Sequence, residues 1–248
     1  MEETIRGVYP FLDVNRTPIG IDRLDTLLRG GLLRGRTYLV AGETGTGKTI
    51  LSLQYLIYGA QVLGENGIYV LVDEGLEEFI RGAKSLGWDL QSLIDEERIS
   101  IMTLLTEFPE RFKDKYLETV AKSIIKDIKE EADRINAKRL VIDPIAPLIL
   151  SEKTLNWMRE YVRRLMLGIE ENVGCTTIVT SEIPTGTNAL SRYGVEEFLA
   201  SGVIVLRIEK RNDEYARVMY IRKMRWTPIR PIELEFDIIP GKGIVIKS

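Results

Sequence analysis

Thr37-Tyr-Leu-Val-Ala-Gly42-Glu-Thr-Gly45-Thr-Gly47-Lys48-Thr49 passes from an apolar, β-branched run into closely spaced glycines, a lysine and a hydroxyl. The first five residues have strand composition and a helix is expected from about Lys48, so the glycines fill a β-to-α turn with the spacing G-x-x-x-x-G-K-T. Glycine lets successive backbone N–H groups point into one concavity at a helix N-terminus, where phosphate oxygens are favoured. Gly42, Glu43, Thr44, Gly45, Thr46, Gly47, Lys48, Thr49 and Ile50 are therefore expected to hold the phosphates of ATP. Lys48 adds charge at the β- and γ-phosphates, and Thr49 offers its hydroxyl to Mg²⁺, a hard ion that prefers oxygen. A solvated lysine on an ordinary glycine-rich turn is the alternative, and the strand before and helix after it argue against that.

Outward from this loop, apolar runs alternate with helical stretches over about residues 37–208, the pattern of a mainly parallel sheet flanked by crossover helices. Strands are expected at 37–41, 67–72, 98–102, 139–143, 175–181 and 202–208, nearly continuous in β-branched residues as a doubly covered sheet requires. Helices are expected over about 115–136, where Leu117, Val120, Ala121, Ile124, Ile125, Ile128, Ala132 and Ile135 form one stripe, and over about 154–171, with a stripe of Met158, Tyr161, Val162, Leu165 and Ile169. Residues 215–225 and 231–237 read as strands with short connections, hence an antiparallel, meander-like end. The expected organisation is one α/β domain over 1–248: a lead-in at 1–35, a nucleotide-binding core at 36–210 and a C-terminal β meander at 211–248.

Lys and Arg number 34 against 37 Asp and Glu, a net charge of -3, so charge points to neither nucleic acid nor an anionic membrane. The chain has no histidine, which excludes Ser-His-Asp catalysis and every imidazole metal site. Its single cysteine, Cys175, lies in an apolar run and reads as a small buried hydrophobe. Met1-Glu-Glu-Thr-Ile-Arg is too polar for a secretory leader and no apolar run reaches the ~18 residues of a membrane span, so a cytoplasmic protein is expected.

A phosphate loop needs an acid behind its metal, at the end of an apolar strand. Leu140-Val-Ile-Asp143 supplies it, with Asp143 expected to reach Mg²⁺ through water. The attacking water needs a group to orient or deprotonate it, and without histidine a carboxylate is the candidate. Asp73 and Glu74 end the strand after the loop's helix, at the carboxyl edge where parallel sheets bind ligands. Thr180-Ser181-Glu182 ends another strand there, and Ser181 or Glu182 is placed to sense the γ-phosphate.

Together these blocks resemble the KaiC-like proteins of the RecA/RadA superfamily, single-lobe archaeal and bacterial type. Thr17-Pro-Ile-Gly-Ile-Asp-Arg-Leu-Asp-Thr-Leu-Leu-Arg-Gly-Gly31 is similar to that group's lead-in, and Gly67 to Glu74, Ser85-Leu-Gly-Trp-Asp89 and Arg192-Tyr-Gly-Val-Glu-Glu-Phe198 to its later blocks. The resemblance implies a RecA-type core, slow hydrolysis of ATP to ADP and phosphate, and a homo-oligomer, usually a hexameric ring, with nucleotide between subunits. It puts Asp73 and Glu74 at the paired catalytic carboxylates, commonly two glutamates, with Glu74 the first choice for the water. It puts Lys223-Met-Arg225 at the Lys-x-Arg that acts in trans, and period two sets both side chains on one face of a strand to stabilise transition-state charge. The histidine often found downstream is absent, Ile229 and Arg230 standing in that stretch.

Two other functions are compatible with these residues. A DNA-binding accessory of recombination would use the loop from Pro184 to Arg192, which lacks the aromatic residues and basic cluster of single-strand grooves. A nucleotide-gated assembly scaffold would bind ATP and turn it over little. The sequence names no protein partner.

Overall fold

The computed structural model describes residues 15–72, 74–103, 117–145, 154–211 and 213–247. A short ladder of β1 (Arg16–Thr17) and β2 (Leu32–Leu33) encloses helix α1 (Asp22–Leu27). Then come β3 (Thr37–Gly42), α2 (Lys48–Tyr58, continued as a π-helical turn over Gly59–Leu63), β4 (Gly67–Leu71), α3 (Leu76–Ser85), α4 (Leu90–Asp95) and β5 (Ile99–Thr103). The middle of the chain forms α5 (Leu117–Arg134), β6 (Arg139–Asp143), α6 (Leu155–Asn172), β7 (Thr176–Glu182) and α7 (Glu196–Leu199). Four strands close it: β8 (Gly202–Arg211), β9 (Glu214–Met224), β10 (Ile232–Ile239) and β11 (Gly243–Ile246).

Among the described residues nine strands make one sheet, in the order β11-β10-β9-β8-β3-β7-β6-β4-β5. Every pair from β8 to β5 is parallel, and β8 to β11 form an antiparallel meander. The mainly parallel sheet, its flanking helices and the antiparallel end are as the periodicity requires. β5 begins one residue later than expected, β10 runs on to Ile239, and β11 is additional.

Alternation along the strands feeds two cores. Tyr38, Val40, Tyr69 and Leu71 face α2, α3 and α4, while Leu39, Ala41, Ile68 and Val70 face α5 and α6. Cys175 is buried in the second core, and burial pushes its thiol up to about 11. Among the described residues no helix is long and apolar enough to cross a membrane.

Polar ties hold the elements that frame the phosphate loop. Gln54 of α2 donates to Gly20 O at 2.7 Å and accepts from Ile244 N at 2.7 Å, linking the lead-in to β11. Asp25 is fully buried and accepts from the N–H groups of Ile19, Gly20 and Ile21. At the amino end of the sheet Arg139, also fully buried, pairs with Glu65 at 2.7 Å, donates to Pro18 O and Tyr55 O, and lies 4.4 Å from the Tyr55 ring centroid. Burial acts to raise the Glu65 carboxyl, but the guanidiniums of Arg139 and Arg34 outweigh it and hold it below the ordinary range.

Candidate nucleotide and magnesium site

β3, β4, β6 and β7 all end at one edge of the sheet, so Gly42, Glu74, Asp143 and Glu182 gather at its carboxyl ends, the crevice where open α/β sheets bind ligands. β3 is the switch point. Its chain leaves over the β7 and β6 side through α2, while its other neighbour is β8.

The loop from Gly42 to Thr49 takes the form that the glycines require. Gly45 and Gly47 adopt φ of 79° and 106°, where a Cβ is disfavoured, and Gly47 is the N-cap of α2. At Gly42 a Cβ would come 2.5 Å from Leu206 O, so β8 can pass beneath the loop only because the side chain is missing. The α2 N-terminus faces the loop with its N–H groups and a positive dipole end. Lys48 Nζ folds back and donates to Gly42 O and Glu43 O, 2.9 Å each. Burial lowers the Lys48 ammonium, against the opposing pull of Asp143 and Glu182.

Thr49 and Asp143 meet directly: Thr49 Oγ1 donates to Asp143 Oδ2 at 2.8 Å. The carboxylate receives two further hydroxyls, Tyr69 OH on the same Oδ2 and Thr180 Oγ1 on Oδ1. All the donors here are oxygens, the set a hard divalent cation takes, and the glycine cradle lies beside them, so the residues fit Mg²⁺ and a nucleotide phosphate chain. A largely apolar cleft of about 330 Å³ opens next to this pair, lined by Thr49, Ile50, Leu53, Glu74, Phe79 and Trp88 among others.

Glu74 sits exposed at the mouth of that cleft, its carboxyl raised above the ordinary glutamate value first by burial, then by Glu78 and Asp143. Asp73 lies outside the described residues. Ser181 and Glu182 part company. Ser181 is fully buried, donates to Glu196 Oε1 at 3.1 Å and accepts from Arg192 N at 3.0 Å, so its hydroxyl is already engaged. Glu182 reaches the loop instead, accepting from Thr44 Oγ1 at 3.2 Å and pairing with Arg192 at 3.3 Å.

Lys223 and Arg225 come together, but elsewhere. Lys223 Nζ donates to Glu197 O at 2.8 Å and Ala200 O at 2.7 Å, and Arg225 donates to Phe198 O at 3.0 Å, so both close on the end of α7. Across the sheet Lys223 pairs with Val203 and Val203 with Leu39, whereas it is Leu206 that pairs with Gly42. The pair thus lies three or more residues, about 10 Å at strand rise, toward the amino end from its own phosphate loop.

Tyr69, Thr180 and Glu196 escaped the sequence reading. A tyrosine inside Gly67-Ile-Tyr-Val-Leu-Val carried the one available signal: a buried phenol in a doubly covered strand must find a partner. Glu196, fully buried, also accepts from Ser191 Oγ and from the N–H groups of Tyr193 and Val195, and so shapes the turn before α7.

The family model described as ATPase: KaiC matches residues 17–248. The circadian clock oscillator protein KaiC of Prochlorococcus marinus subsp. pastoris is 34% identical over 235 residues, 95% of this chain and 45% of that protein. The protein of that name from Synechococcus elongatus is 32% identical over 222 residues, 88% of this chain and 41% of that protein. The chain thus spans about half the length of these curated relatives. Among solved structures, a KaiC-like protein of the hyperthermophilic archaeon Pyrococcus horikoshii matches with a TM-score of 0.80 and 36% identity, over 94% of this chain and 99% of that one. A phosphate loop on the switch-point strand, an acid on Thr49 and a family match from the lead-in to the last strand agree: the chain belongs to the KaiC family of ATPases.

Proposed function

We propose that this chain is a single-domain, Mg²⁺-dependent ATPase that works as an assembly of its own copies, a hexameric ring by family likeness, with each nucleotide shared between neighbours. Within one copy the loop N–H groups and Lys48 hold the phosphates, and Thr49 and Asp143 hold the cation. Mg²⁺ supplies charge neutralisation on the phosphate oxygens. Glu74 orients the water and takes its proton as the new P–O bond forms at the γ-phosphorus and the bond to the bridging oxygen of ADP breaks. Asp73 is proposed as its partner acid, and Glu182, through Thr44, as the group that feels the γ-phosphate.

One observation carries the shared site. Lys223 and Arg225 are anchored to the α7 carbonyls, toward the far end of the sheet from their own loop. They are better placed to serve another copy than their own nucleotide, and cations on transferring phosphate are worth several orders of magnitude in rate. Phe198 and Trp226 flank the pair at 69% and 81% exposure, large aromatic surfaces of the kind that anchor interfaces. The test is ATP turnover per subunit across protein concentration, with mass measured in solution. Turnover that rises as copies assemble supports the reading; a monomer with full turnover refutes it. The DNA reading gains nothing from the loop after β7, whose single base, Arg192, is paired to Glu182.

A further inference from the structure

Tyr69 is fully buried and its ring packs on Phe79 with centroids 4.6 Å apart. It pairs across the sheet with Val141, so Asp143, two residues further along β6, is its diagonal neighbour on the same face. One strand spacing and two residues of strand rise put such neighbours about 8 Å apart at the backbone, and the phenol carries its oxygen across that gap. The hydroxyl donates to Asp143 Oδ2, the oxygen that also accepts Thr49.

A threonine hydroxyl has one hydrogen and two lone pairs. With its hydrogen committed to Oδ2, Thr49 keeps its lone pairs for a cation. That commitment lasts only while the carboxylate cannot turn. Thr49 and Thr180 hold it by short side chains from α2 and β7, whereas the phenol holds it by a rigid ring locked in the core.

We propose that Tyr69 is a positioning residue for the divalent cation: its phenol fixes the Asp143 carboxylate in the orientation that leaves the Thr49 oxygen free to ligate. The inference rests on the reading of Thr49 and Asp143 as the cation site.

The test is Tyr69→Phe in the full chain, which keeps the ring on Phe79 and removes one oxygen. A fluorescent ADP analogue is titrated in EDTA and then across Mg²⁺ concentration. The expected result is affinity in EDTA within about twofold of wild type, and a Mg²⁺ midpoint raised about tenfold, the low end of what outer-shell partners of metal ligands contribute. An unchanged midpoint, or affinity lost equally with and without Mg²⁺, overturns the proposal and leaves Tyr69 a packing residue. Should Tyr69→Phe not fold, Tyr69→Met fills the same core gap with a flexible apolar side chain that lacks the hydroxyl, and is read the same way: a raised midpoint supports the fixation and an unchanged one overturns it. Failure of the underlying reading looks different, because wild type itself would then show no Mg²⁺ dependence.

Discussion

The ammonium of Lys223 lies 2.7 Å from the carbonyl oxygen of Ala200, and this contact, with that of Arg225 on Phe198, closes a basic pair onto the last turn of α7. Carbonyls at a helix end attract cations but cannot neutralise them, so the pair remains positively charged and ready for an anion. Burial, and then Arg225 beside it, lower the Lys223 ammonium, against the opposing pull of Glu197.

On the proposed mechanism Glu74 should set the acid limb of turnover. The base works as a carboxylate, and its pKa is raised above the ordinary value, so rate is full above that pKa and falls as pH drops through it. Glu74→Gln should keep nucleotide binding and lose about 100-fold or more in turnover. Glu78→Gln removes one negative neighbour and should move the acid limb of the pH–rate profile to lower pH; a limb that stays in place would separate Glu74 from the rate-limiting proton.

Trp226 should anchor copies to one another. It stands at φ 59° on a turn braced by Arg16, which donates to Trp226 O at 3.2 Å and to Thr227 Oγ1 at 3.1 Å. Because the brace uses the backbone, Trp226→Ser should leave the fold unchanged and weaken assembly by about 2 kcal/mol, the level of an interface hot spot. Sedimentation across concentration reads this directly, and wild-type assembly by the variant would move the interface elsewhere.

Arg139 holds the amino end of the sheet. Arg139→Met strands Glu65 in a largely buried position with the half-exposed Arg34 and the Thr17 hydroxyl, and should cost about 3–5 kcal/mol in urea unfolding. Glu65 is lowered below 4.5 when folded, so its contribution is fully present above that pH and lost as pH falls through the folded value. The acid dependence of stability should therefore shrink in the variant. Equal acid profiles for the two proteins would show that Glu65 is not its source.

Much of this was legible in the sequence because strand alternation and glycine spacing are local. Tyr38 and Val40 against Leu39 and Ala41 already assign two faces, and Gly42 to Thr49 can hardly be another turn. Asp143 was legible for the same reason, as the first acid after an apolar run. What stayed hidden depends on strand order: Tyr69 reaches Asp143 only because β4 lies beside β6, and Arg139 meets Glu65 only because β6 begins next to the end of α2's π-helical turn. Ser181 read as a free hydroxyl at a strand end because its acceptor, Glu196, arrives from beyond the intervening loop. β11 is short, and it opens on Gly243, which leaves no room for a side chain beside Gln54 and Trp88.

The sharing of the site between copies is tested most directly by mixing two variants, each defective in one half. Lys48→Ala keeps Lys223 and Arg225 but has no working phosphate loop; Arg225→Ala keeps the loop and should lose about 10³ in turnover. If the basic pair serves a neighbour, the mixture recovers turnover that neither variant has alone, in proportion to the intact half-sites that meet. A mixture that shows only the sum of its two components, or an Arg225→Ala protein as active as wild type, would contradict the shared site.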